Sequence, residues 1–165
     1  MILICYDGSE DARAAIERAG ALFPGQAATV LTIWQPFIEV VARAGVGFGV
    51  TPAIPNSDRI DEASQERAQE VVQEGVELAR AAGLDAQPHV SAQATTTARA
   101  ILEQANSLGA NAIVMGSRGL TGVKSLLLGS VSHEVIHDAD RTVVVVPSPK
   151  VAASRARAIG GGAES

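Results

Sequence analysis

The sequence predicts an α/β protein with three layers, a doubly wound parallel sheet packed by helices on both faces. Strand-like and helix-like stretches alternate as β α β α β α β α β, and such alternation closes through right-handed crossovers. The strand-like runs, such as "ILICY" and "TVVVV", are nearly continuous in apolar residues, as strands buried on both faces require. Aromatics are only 3% of the chain while alanine, valine and glycine abound, which suits helices packed closely on a sheet.

The first strand is "ILICY", and Cys5 within it reads as a core thiol. A helix follows, capped by Ser9, with Glu10 and Asp11 in the turn that the helix dipole favours and an apolar stripe of Ala12, Ala15, Ile16, Ala19 and Leu22. Residues 28–34, "ATVLTIW", form the second strand. A longer amphipathic helix spans 61–82, with Ala68, Val71, Val72, Leu78, Ala79 and Ala82 near one face and Gly83 as its stop. "DAQPHV" is a short third strand, placed at an edge because Pro88 lacks the amide a central position needs. Thr95 to Thr97 cap the next helix, which carries Ala98, Ile101, Leu102, Ala105 and Leu108 and ends at Gly109. "NAIVMG" is the fourth strand, and a glycine-punctuated loop, a helix containing "HEVIH" and the strand "RTVVVVP" complete the series. Two stretches fall outside it: a Gly/Pro-rich insertion at 36–60 and a polar tail at 148–165 that reads as disordered.

The 165 residues suit one domain, assigned to 1–147. A net charge of -5 and a pI near 5.1 argue against a nucleic-acid face. Met1–Asp7 shows no basic leader and reaches an acid after six residues, so the expectation is a cytoplasmic protein without a membrane span. A single cysteine excludes an intramolecular disulfide and any cysteine-cluster metal site.

Open α/β sheets bind ligands outside the carboxyl ends of their strands, where the strand order reverses. The first strand delivers Asp7 there, and the fourth delivers "GSRGLTG". Gly116 and Gly119 permit a tight loop whose amides approach a phosphate, and Gly129 and Ser130 open a helix whose free amides and dipole favour an anion. Arg118 and Lys124 are candidate counter-charges, and Asp7 is suited to a ribose or to a divalent cation held against phosphates. Lys124 does not directly follow a glycine, so this is no P-loop. "GVGFG" at Gly45 lacks the strand and helix of a dinucleotide fingerprint.

"ICYDGSEDARAAIERA", "AIVMGSRGLTG" and "LLLGSVSHEVIHDADRTVVVVP" together resemble the universal stress protein family over about 1–147. Its nucleotide motif, G-x2-G-x9-G-[ST], is met by Gly116, Gly119, Gly129 and Ser130. The resemblance implies a five-stranded parallel sheet in the order 3-2-1-4-5 and ATP binding, with Asp7 on the ribose or Mg side. It further implies Ile33 near the adenine and Gly116, Gly119, Gly129, Ser130 and Val131 around the phosphates. It also implies a homodimer paired through Thr142 to Val146, and a nucleotide-responsive stress role exerted through a protein partner, with little or no turnover. A slow ATPase or phosphotransferase using Asp7 and Mg is the alternative.

"HEVIH" also spells the H-E-x-x-H of zinc hydrolases in His133, Glu134 and His137. With Val131, Val135 and Ala139 facing the sheet, both histidines turn to solvent, and no third ligand follows. The zinc reading is therefore remote.

Overall fold

The computed structural model describes residues 1–37, 40–41, 57–93, 95–120 and 128–160. Five strands, β1 (Ile2–Cys5), β2 (Ala27–Trp34), β3 (Asp85–Ala92), β4 (Ala112–Gly116) and β5 (Thr142–Val146), form one parallel sheet in the order β3-β2-β1-β4-β5. Helices α1 (Glu10–Leu22), α2 (Ser57–Ala81), α3 (Thr97–Ser107), α4 (Ser130–Asp138) and α5 (Pro149–Gly160) alternate with the strands and follow the last one.

Side chains of a strand alternate between the two faces, and β1 divides the core accordingly. Ile2 and Ile4 join Ala12, Ala15, Ile16 and Ala19 of α1 and Val72, Val76 and Ala79 of α2 on one face. Leu3 turns to the other face, with Ala98, Ile101 and Ala105 of α3 and Val135 of α4. The small aliphatics are what allow this closeness. A Cβ on Gly75 of α2, for instance, would stand 2.7 Å from the Tyr6 ring.

The helix boundaries follow local chemistry. Ser9 Oγ accepts the Ala12 amide at 3.2 Å to start α1, and Thr96 Oγ1 accepts that of Arg99 at 3.1 Å to start α3. Gly83 (φ +85°) and Gly109 (φ +63°) follow α2 and α3 in the left-handed region, the conformation a glycine stop provides. Pro88 lies in β3, at the edge of the sheet, where a missing amide costs no ladder bond on the outer side.

Three expectations are corrected. Leu22 is 51% exposed rather than part of the buried α1 stripe, although Ala19 and Gly20 of the same turn are buried, so the buried face of the helix turns away from it. The second helix begins at Ser57, four residues inside the insertion, and Asp61 accepts the Phe37 amide at 2.6 Å, tying that region to the end of β2. The tail expected to be disordered is helical from Pro149 to Gly160, since alanine and arginine favour a helix and proline suits its first position. The rest of the insertion, apart from 40–41, lies outside the described residues.

Candidate nucleotide site at the β1–β4 switch

The chain leaves β1 toward β2 on one side and reaches β4 on the other, so the carboxyl ends of β1 and β4 diverge around a crevice. It holds a cavity of about 420 Å³. Eight of the nine residues singled out for it in the sequence line it: Asp7, Ile33, Gly116, Arg118, Gly119, Gly129, Ser130 and Val131. Lys124 lies outside the described residues.

Asp7 follows the end of β1, with Oδ1 accepting the Ser9 amide at 3.0 Å and Oδ2 accepting that of Leu120 at 3.2 Å. The carboxylate thus draws the glycine loop over β1. Gly119 makes that approach possible, for a Cβ there would stand 2.7 Å from Asp7 Oδ2. Gly116, which lines the cavity, also serves a contact behind it. Its absent Cβ would fall 2.8 Å from the carbonyl carbon and Cβ of Asp11 and 2.9 Å from the Ala12 nitrogen, so glycine here lets the start of α1 rest on the end of β4.

Helix α4 differs from α1 and α3 at its start. Gly129 is the N-cap, with φ -71° and ψ 157°, and no side chain caps the helix. The Gly129 amide donates to Ser117 O at 2.8 Å, and the Ser132 hydroxyl is taken by Ser117 O (2.9 Å) and Gly129 O (3.0 Å). The first intrahelical bond is His133 N to Gly129 O, at 3.0 Å. Ser130, Val131 and Ser132 therefore begin a helix without a side-chain cap, and all three line the cavity. Uncapped first-turn amides, together with the helix dipole, attract an anion.

Arg118 is held from behind. Its Nε lies 3.7 Å from Asp11 Oδ2, with the side chains 19% and 7% exposed, and the same oxygen accepts the Ser117 hydroxyl at 2.7 Å. The arginine expected to meet phosphate thus already faces a carboxylate. By sequence Asp11 is only a first-turn acid of α1, and nothing in the motif assigns Ser117 a role. Ser117 joins four elements: its amide donates to Val146 O, its carbonyl accepts from Gly129 and Ser132, and its hydroxyl donates to Asp11.

The apolar part of the lining comes from Leu31 and Ile33 of β2, Ile101 of α3 and Met115 of β4. Cys5, expected in the core, is half-buried and also lines the cavity. Burial first, and the Asp7 carboxylate second, push its thiol up to about 12. At pH 8 only about one molecule in ten thousand then carries the thiolate, which is the reactive form. Iodoacetamide at pH 8 is expected to label Cys5 more slowly than it labels a free thiol peptide, by two orders of magnitude or more, with full reactivity returning in urea. Native labelling at the peptide rate contradicts the assignment.

The "HEVIH" residues lie on α4 with His133 and His137 exposed. Glu134 Oε1 accepts the Thr96 hydroxyl at 2.8 Å, joining α4 to the start of α3. The His137 imidazole pairs with Asp138 at 2.6 Å, and that hydrogen bond raises its pKa.

The family model described as the universal stress protein family matches residues 1–147. The chain belongs to the universal stress protein family. A Thermus aquaticus relative, described as a universal stress protein in the QAH/OAS sulfhydrylase 3' region, is 32% identical over 147 residues, covering 88% of this chain and 96% of its own. Among solved structures, protein MJ0577 superposes with a TM-score of 0.70 at 22% identity, over 88% of this chain and 94% of its own. A universal stress protein solved in complex with cAMP gives a TM-score of 0.59 at 21% identity, over 89% and 95% of the two chains. The Archaeoglobus fulgidus protein solved in complex with dAMP gives 0.54 at 22% identity, over 88% and 95%. At such identities these structures speak to the fold, and this universal stress protein shares their five-stranded arrangement. No helix among its described residues is long and apolar enough to cross a membrane.

Proposed function

We propose that this universal stress protein binds an adenine nucleotide, ATP with Mg, in the β1–β4 cavity and acts in the cytoplasm as a nucleotide-responsive regulator of a protein partner. The observation that carries the reading is the uncapped start of α4, set beside Gly119 and Asp7 in a cavity of about 420 Å³. That volume falls in the usual range for small-ligand pockets, and a mostly apolar lining with a few converging polar groups is their usual character. Phosphates would meet the Ser130, Val131 and Ser132 amides, while the base would lie against Leu31, Ile33 and Ile101. The nucleotide complexes of the cAMP- and dAMP-bound family members support a ligand of this class.

Asp7 suits the ribose hydroxyls or a Mg ion bound with the phosphates. Each of its oxygens accepts one amide hydrogen and keeps a second lone pair. We further propose a homodimer through β5, an outer strand whose Val143, Val144 and Val145 are only half-buried.

Mass spectrometry of the purified protein after denaturation, followed by calorimetry of the nucleotide-free form, tests the reading. A co-purifying adenine nucleotide, or sub-millimolar ATP affinity, is the expected result. Neither appearing, with or without Mg, would reject nucleotide binding.

A further inference from the structure

Among the described residues lining the cavity, Arg118 is the one cation and Asp7 the one carboxylate. Behind that lining stands Asp11, a 5% exposed acid in the first turn of α1. Its Oδ2 receives the hydroxyl of the fully buried Ser117 at 2.7 Å and faces Arg118 Nε at 3.7 Å. It cannot drift from this position easily, because the backbone of Asp11 rests against Gly116, where even a methyl group would meet it at 2.8 Å. A buried carboxylate fixed this close to the only described cation of the lining cancels much of that cation's field. Among the described residues, the attraction left for a ligand's phosphates is then mainly that of the α4 amides, which is local and falls off within one turn.

Resting on the nucleotide reading, we infer that Asp11 is a specificity-determining residue: it withholds the Arg118 charge from the ligand and so sets how much negative charge the site accepts. The geometry suits one phosphate at the α4 amides. Each further phosphate adds negative charge without a matching cation from the described lining, and would enter with Mg rather than alone. Removing the Asp11 charge releases Arg118 and lowers the cost of the later phosphates. Asparagine keeps an oxygen for the Ser117 hydroxyl, so Asp11→Asn changes charge with little change of shape.

The experiment measures AMP, ADP, ATP and inorganic pyrophosphate by calorimetry, without Mg, on the wild-type protein, Asp11→Asn and Arg118→Gln. In the wild type, affinity is expected to change little from AMP to ATP. In Asp11→Asn the ratio of ATP to AMP affinity should rise about fivefold or more, and in Arg118→Gln it should not rise. A merely structural Asp11 would weaken all nucleotides alike and leave the ratio unchanged, and that result overturns the inference while the nucleotide reading stands. Should pyrophosphate bind and no nucleotide do so, adenine binding is rejected, and tighter pyrophosphate binding in Asp11→Asn than in wild type then upholds the role of Asp11. If none of the four binds any of the three proteins, both readings fall.

Discussion

Replacing Gly116 by alanine is expected to remove about 3 kcal/mol of folding stability, a large share of the margin of a domain this size. The added methyl would stand 2.8 Å from two carbon atoms of Asp11 and 2.9 Å from the Ala12 nitrogen. These are mostly atoms of a capped helix that packs on the sheet, so relief requires α1 to lift off β4. Such a movement also strains the Ser117 to Asp11 bond. Gly119→Ala provides the comparison. Its methyl meets only the Asp7 carboxylate, which can rotate away at the cost of the Leu120 bond, so the loss there should be about 1 kcal/mol. Urea denaturation of the two variants decides the matter, and a Gly116→Ala protein as stable as the wild type would show that α1 does not rest on β4 as described.

The second large effect concerns binding. Gly129→Asp is expected to lower nucleotide affinity about a hundredfold while leaving stability within about 1 kcal/mol of the wild type. Gly129 has φ -71° and ψ 157°, nearly the -72° and 160° of Ser9, which does cap its helix. An aspartate at 129 can therefore turn its carboxylate onto the α4 amides and occupy the place proposed for phosphate, with a charge that repels it. The new Cβ lies 3.3 Å from Ser117 O and 3.4 Å from Arg118 Cα, a tightness the cap bond offsets. Undiminished ATP binding by this variant, measured by calorimetry beside a matching urea curve, would remove the α4 amides from the proposed site.

The sequence made the architecture readable wherever chemistry is local. "ILIC" and "VVVV" are apolar without a break because strands packed by helices on both faces turn few side chains to water, and Ser9, Thr96, Gly83 and Gly109 punctuate helices through bonds to near neighbours. That the motif glycines and Asp7 meet at one cavity was likewise legible, since their spacing survives without knowledge of the fold. What was not legible depends on contacts across the chain. Asp11 and Ser117 are 106 residues apart, and nothing near either residue announces their bond. The seat that Gly116 gives α1 and the approach of Arg118 to Asp11 are likewise contacts between the start of α1 and the end of β4. The helix at Pro149–Gly160 was missed for another reason: its polar, alanine-rich composition suits a solvated helix as well as a coil.

Pro88 lies in one outer strand of the sheet, and the other outer strand carries only valines and a threonine. Were both edges continuous, the β5 of one copy could add to the β3 of the next, and a head-to-tail contact of that kind repeats without end into a filament. The missing amide of Pro88 breaks the row that such an addition would need. Were two copies to pair as proposed, β5 against β5, the contact would use up that edge of both copies at once.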